Sequence, residues 1–131
     1  MSSGVYPCEA TRIGRIMMTS INIARDYSPY PGGRYPEDGA GNGSTFRDEF
    51  LLPVLRSGQH AEVILDGAAG YPSSFLDEAF GGLVRNYGFT PEQVLAAFKL
   101  VARQPGFARF VPLIESFVRS AQPEIRRQRA N

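Results

Sequence analysis

The sequence predicts a single α/β domain: a small mixed sheet with helices mainly on one face. Two observations carry this. Segments with strand character alternate along the chain with segments of helical periodicity, the order that builds sheets with right-handed crossovers. One short apolar run, Glu62-Val-Ile-Leu-Asp66, is bounded by turn residues on both sides, the pattern of a central, doubly covered strand with residues 62–65 at its heart. A chain of 131 residues with 43% hydrophobic and 21% charged residues suits one globular domain able to bury a core without covalent staples.

In chain order, residues 1–17 show weak patterning and are expected to form a peripheral extension. The tandem Met17-Met18 offers an alternative translation start. Residues 18–122 form the domain and residues 123–131 a basic tail. Ser20-Ile-Asn-Ile-Ala alternates polar and apolar residues, which places a half-buried strand there. The segment SPYPGGRYPEDGAGNGS, rich in proline and glycine, is a long loop, and loops of that length are usually functional or mobile. Thr45 and Asp48 then stand three apart, like a capping box, before a helix FRDEFLLPVLRSG whose Phe46, Phe50, Leu51, Val54 and Leu55 share a face; Pro53 should kink or split it.

After the central strand, Phe75, Leu76, Ala79, Phe80, Leu83, Val84 and Tyr87 give residues 75–87 one wide apolar helical face. Gly81 and Gly82 are poor helix formers, so their presence implies close approach by a neighbouring backbone. Thr90 caps a further short helix with Pro91 in its first position. Residues 97–102 either continue that helix or form a strand; periodicity does not decide between them. A last helix begins near Pro112, turns Leu113, Ile114, Phe117 and Val118 inward, and ends at Pro123.

Composition excludes several kinds of chemistry. A lone cysteine (Cys8) permits no intrachain disulfide, and with a single histidine (His60) most zinc sites disappear and a nucleophilic triad has only one base to use. His60 falls in a polar loop and is expected to be exposed. No apolar run is long enough for a membrane span, no secretory core is seen, and the cytosol is the expected compartment. Net charge is +1, with thirteen arginines scattered except in IRRQR at 125–129. That run reads as a solvated terminus, and no nucleic-acid partner is expected. No P-loop, metal set or dinucleotide fingerprint is present, so no cofactor and no enzymatic activity are expected.

The stretches INIARDYSPYPGGRYPEDG, STFRDEFLLPVL and VILDGAAGYPSSFLDEAFGGLV together resemble the STAS-like domain family of prokaryotic proteins, largely of unassigned function. The resemblance runs from about Ser20 to Phe117, with little between Gly88 and Pro112. It implies a fold akin to sulfate-transporter and anti-sigma-factor-antagonist domains, in which the first serine of an Asp-Ser-Ser turn is phosphorylated by a partner kinase. By position Ser73 falls on that serine and Ser74 on its neighbour, with Pro72 in place of the aspartate and Phe75 in place of a glycine. The partner so implied is a protein, a histidine-kinase-like ATPase or another switch protein.

The residues themselves divide the two serines. Ser74 with Asp77 forms a second capping-box-like pair, leaving Ser73 free at a helix start, where a phosphate would meet unpaired N–H groups while Asp77 and Glu78 repel it. Gly33, Arg34 and Tyr35 of GGRY, Arg47 of the FR motif and Asp66 at the strand end are the other candidates for holding an anion or an acidic partner residue. The competing function is thus a small-anion or nucleotide site on the Gly-rich loop and Arg34. A third is a hydrolase using Asp66, since α/β sheets place ligand-facing residues at strand ends.

Overall fold

The computed structural model describes residues 18–124. The expected extension 1–17, with Cys8 and the alternative start at Met17, and the basic run at 125–129 lie outside the described residues. Strands β1 (Met18–Asn22), β2 (His60–Ile64) and β3 (Phe98–Val101) form one sheet in the order β1-β2-β3, parallel throughout. Ile21 pairs with Val63, and Val63 with Leu100. The sheet is therefore not mixed. Every connection carries a helix, so no tight hairpin is available to reverse a strand.

This topology decides where the helices lie. Both crossovers step the same way across the sheet, and right-handed crossovers then place their helices on the same face. Burial along β2 agrees: Ala61 and Val63 are fully buried, whereas His60, Glu62 and Ile64 are half-buried. The central strand is thus covered on one face, not two as its apolar run implies. His60 is the first residue of β2 and half-buried, not an exposed loop residue.

Helix α1 runs from Gly43–Phe46 through a π turn at Arg47–Leu51 into Leu52–Arg56. Its cap is Asn42, whose side-chain oxygen accepts from the Thr45 N–H at 2.9 Å. Thr45 and Asp48 therefore do not form the expected box, because the helix starts three residues earlier. The irregularity foreseen at Pro53 takes the form of the π turn just before it. Helix α2 is built alike: Ser73–Leu76, a π turn Asp77–Gly81, then Gly82–Arg85. Helix α3 (Pro91–Ala97) has the Thr90 cap in full, with Thr90 Oγ1 accepting from the Gln93 N–H at 3.1 Å and Gln93 Oε1 accepting from the Thr90 N–H at 2.8 Å. It gives way directly to β3, which resolves the ambiguity at 97–102 in favour of a strand from Phe98. Helix α4 (Phe110–Ser120) buries Phe110, Ile114 and Val118.

The core lies between the covered sheet face and these helices. Phe46, Leu65, Phe75, Leu76 and Leu83 are wholly buried, each contributing about 1.5–3 kcal/mol on removal from water. Aromatic rings run in contact through it, from Tyr27 to Phe46 (5.2 Å between centroids), Phe75 (5.8 Å), Tyr71 (6.0 Å) and Phe110 (5.1 Å). The expected neighbouring backbone approaches only Gly81, where a Cβ would stand 3.4 Å from the Phe117 carbonyl, and charged side chains come closer at both glycines. A Cβ at Gly82 would stand 2.6 Å from Arg47 Nη1, and one at Gly81 would stand 2.8 Å from Asp77 Oδ1. What approaches is charged side chain, which leads to the site.

Candidate functional site

The π turns of α1 and α2 face each other, and between them lies a cluster of charges. A π turn adds a residue to the helical turn and re-aims the side chains it carries. Here it turns Arg47 and Glu78 inward, leaving Glu78 1% and Arg47 5% exposed. Arg47 Nη1 donates to Glu78 Oε2 at 2.6 Å, and its Nε donates to Asp48 Oδ1 at 2.8 Å. Burial opposes the Arg47 charge, but hydrogen bonds to Asp48 and Glu78 outweigh it and raise its pKa above the usual guanidinium value. The Tyr87 ring lies 5.3 Å beneath the guanidinium.

Two further arginines close the cluster. Arg34 Nη1 donates to Asp77 Oδ2 at 2.7 Å and lies 3.5 Å from Glu78 Oε1. Arg85 lies 3.4 Å from Asp77 Oδ1 and 3.3 Å from Glu78 Oε1. Arg34 arrives there from a well-tied loop. Asp38 Oδ2 accepts the N–H groups of Arg34 and Tyr35, and Gly33, at φ 83°, passes so close to Asp38 that a Cβ would lie 2.5 Å from that residue's own. The carbonyls of Gly33 and Arg34 then accept from the N–H groups of Gly43 and Ser44 at the start of α1. The Tyr27 hydroxyl fastens the loop's far side, 2.7 Å from the Asn42 carbonyl.

The structure thus brings Gly33, Arg34, Tyr35 and Arg47 into one region, in a structural role. Arg34 already holds a carboxylate, so its charge is committed within the fold. Tyr35 is exposed. Glu78, Arg85 and Asp48 complete the cluster and are the residues that sequence reasoning missed. Asp77 and Glu78 read as solvated acids of a first helical turn. The signal available was that Glu78 stands three residues after Phe75 and four before Gly82, on the apolar face.

Asp66 lies apart from this cluster. Its carboxylate accepts the N–H groups of Arg103 (2.9 and 3.0 Å) and Gln104 (2.9 Å), pinning the segment after β3 to the end of β2. It fixes a turn, the commoner role for an aspartate at a strand end. Nearby, burial raises the pKa of the Tyr71 hydroxyl, which donates to the Leu65 carbonyl at 2.7 Å. Among the described residues, no three His, Cys, Asp or Glu side chains converge into a metal-binding group, and no helix is long and apolar enough to cross a membrane.

The two serines begin α2, after Pro72. Pro72 accepts the N–H groups of Phe75 and Leu76 through its carbonyl, and no side chain caps the helix. The expected Ser74–Asp77 box is therefore absent, because Asp77 is turned toward Arg34 and Arg85. Ser73 is exposed and Ser74 half-buried, and neither hydroxyl makes a hydrogen bond among the described residues. The first N–H groups of the helix, at Ser73 and Ser74, have no intrahelical acceptor. Asp77 and Glu78 just beyond are neutralised by three arginines, so the repulsion expected at this helix start is largely cancelled.

No curated protein and no solved structure matches the chain. A family model does, over residues 42–103, from the cap of α1 to the segment beyond β3. The matched region includes the Arg47–Glu78 pair and both serines, extends past Gly88 through β3, and leaves out the GGRY loop on which the resemblance also drew. The model matched over residues 42–103 is that of a STAS-like domain of unknown function (DUF4325), and that stretch of the chain is similar to it.

Proposed function

We propose that the domain is a non-enzymatic regulatory module of the cytosol that docks a protein partner at the start of α2 and is switched by phosphate at Ser73. One observation carries the reading: Ser73 is exposed, its hydroxyl has no partner among the described residues, and it stands at the open N–H end of a helix. A phosphate on its Oγ gains the positive end of the helix dipole and unpaired donors. The neutral charge cluster behind it supports the reading, since no bare carboxylate opposes the added charge. The fold-level likeness to anti-sigma-factor antagonists names the partner class, a histidine-kinase-like ATPase or another switch protein. In the transfer, Ser73 Oγ attacks the γ-phosphorus of ATP, its proton passes to a base of the kinase, and ADP leaves.

The test is phosphate transfer and its consequence. The chain is incubated with ATP and a candidate kinase from the source cell, and phosphate is mapped by mass spectrometry. Binding of that kinase is then compared for the wild-type chain, Ser73→Ala and Ser73→Asp. Phosphate on Ser73, with binding weakened about tenfold or more by Ser73→Asp, supports the proposal. Phosphate confined to other residues, or Ser73→Asp binding like the wild type, refutes it.

A further inference from the structure

A second feature stands at the same end of the sheet, away from the charge cluster. A cleft of 390 Å³ opens between Tyr30, Pro31, Tyr71, Pro72, Arg109 and Phe110. These residues come from three separate places in the chain. Tyr30 and Pro31 follow β1, Tyr71 and Pro72 follow β2, and Arg109 and Phe110 follow β3. The cleft is therefore built wholly by the connections leaving the carboxyl ends of the three parallel strands, where open α/β sheets bind their ligands. Since the strand order never reverses, no crevice arises from the sheet itself, and the aromatic connections build one instead.

The lining states the chemistry of the occupant. Three aromatic rings and two prolines make it apolar, and its volume falls within the range of small-molecule sites. The Tyr71 and Phe110 rings meet edge-on at 5.1 Å and are nearly buried, forming the inner walls, while Tyr30 is 77% exposed and stands as the outer side. Tyr71 spends its hydroxyl on Leu65, so it offers only its ring. The single charge is Arg109. It makes no ion pair or hydrogen bond among the described residues and rests over the Phe110 ring at 4.8 Å. Arg34, Arg47 and Arg85, by contrast, are all held by carboxylates.

We propose that this cleft binds a small aromatic carboxylate, with its ring between Tyr30 and the Tyr71–Phe110 walls and its anion on the Arg109 guanidinium. The site is independent of the phosphate switch, although Pro72 both lines the cleft and precedes Ser73. Binding there would cover the exposed Tyr30 side chain, and the guanidinium would give the anion a bidentate partner.

The test titrates the isotope-labelled full chain with 4-hydroxyphenylacetate and, separately, with its neutral amide, following backbone amide signals by NMR. Saturable shifts centred on Tyr30, Tyr71 and Phe110 are expected, with the carboxylate binding about tenfold or more tighter than the amide, as a charge-assisted contact supplies. Arg109→Gln should bring the two probes level, while Arg109→Lys keeps part of the preference. Arg109 is exposed, so both variants should fold, and their amide spectra report it. Tyr30→Ala should weaken both probes together. The proposal is overturned by a carboxylate that binds no tighter than about 1 mM, by equal binding of the two probes to the wild type, or by a preference that survives Arg109→Gln.

Discussion

The Arg47–Glu78 pair offers the sharpest stability test. Glu78→Gln keeps the side chain's shape and removes its charge. Arg47, 5% exposed, then retains Asp48, 44% exposed, as its one carboxylate partner beside the Glu78 main-chain carbonyl, and the Arg85 and Arg34 contacts at 3.3 and 3.5 Å lose their ionic character. Leaving a buried charge without its partner costs about 3–5 kcal/mol. Arg34→Gln also breaks an ion pair, but the Arg34 side chain is 39% exposed, and solvent screening limits the loss to about 1 kcal/mol or less. Urea unfolding of the full chain, followed by circular dichroism at constant slope, reads both values. On heating, the Glu78→Gln loss corresponds to a fall in Tm of roughly 10 °C or more. The double variant Arg47→Met/Glu78→Leu removes both charges and fills the space with apolar atoms, so it should be less damaging than Glu78→Gln alone. If Glu78→Gln is as mild as Arg34→Gln, or if the costs of Arg47→Met and Glu78→Leu simply add, the pair is not the buried, coupled contact described above.

Three further outcomes follow from the packing. Gly82→Ala should lower stability by about 1–3 kcal/mol despite alanine's better helix propensity, because its Cβ would press on Arg47 Nη1; a neutral or stabilising result in urea unfolding defeats this. Asp66→Ala strips the Arg103 and Gln104 N–H groups of their acceptor and should cost about 1–3 kcal/mol, with faster amide exchange at those two residues as the local signature. Thr90→Ala should cost about 1 kcal/mol through loss of a formed cap, whereas Ser73→Ala and Ser74→Ala should each stay within about 0.5 kcal/mol. A Ser74→Ala variant as unstable as Thr90→Ala would restore the capping role that the sequence suggests.

What the sequence determined by itself was whatever is written in short-range pattern. The apolar run at 62–65 marks β2 because a strand needs only a few residues to declare itself. Thr90, Pro91 and Gln93 mark the start of α3 because a capping box closes within one turn. The stripe through Phe75, Phe80 and Leu83 marks the buried face of α2 because helical periodicity is local. The pairing of two serines with a following acidic residue misled for the same reason: the Ser74–Asp77 spacing is a local signal, and Asp77 is claimed by Arg34, forty-three residues away. Tertiary structure alone decided the fate of the charges. Glu78 and Arg47 are far apart in sequence, and only the facing π turns make them a buried pair and require glycine at 82 to admit the guanidinium. The apolar run of β2 reads locally as a doubly covered strand, and only the sense of two successive crossovers leaves it one covered face. The cleft beside Arg109 exists only because three separate connections leave parallel strands at one end, an arrangement fixed by long-range pairing rather than by any one stretch of residues.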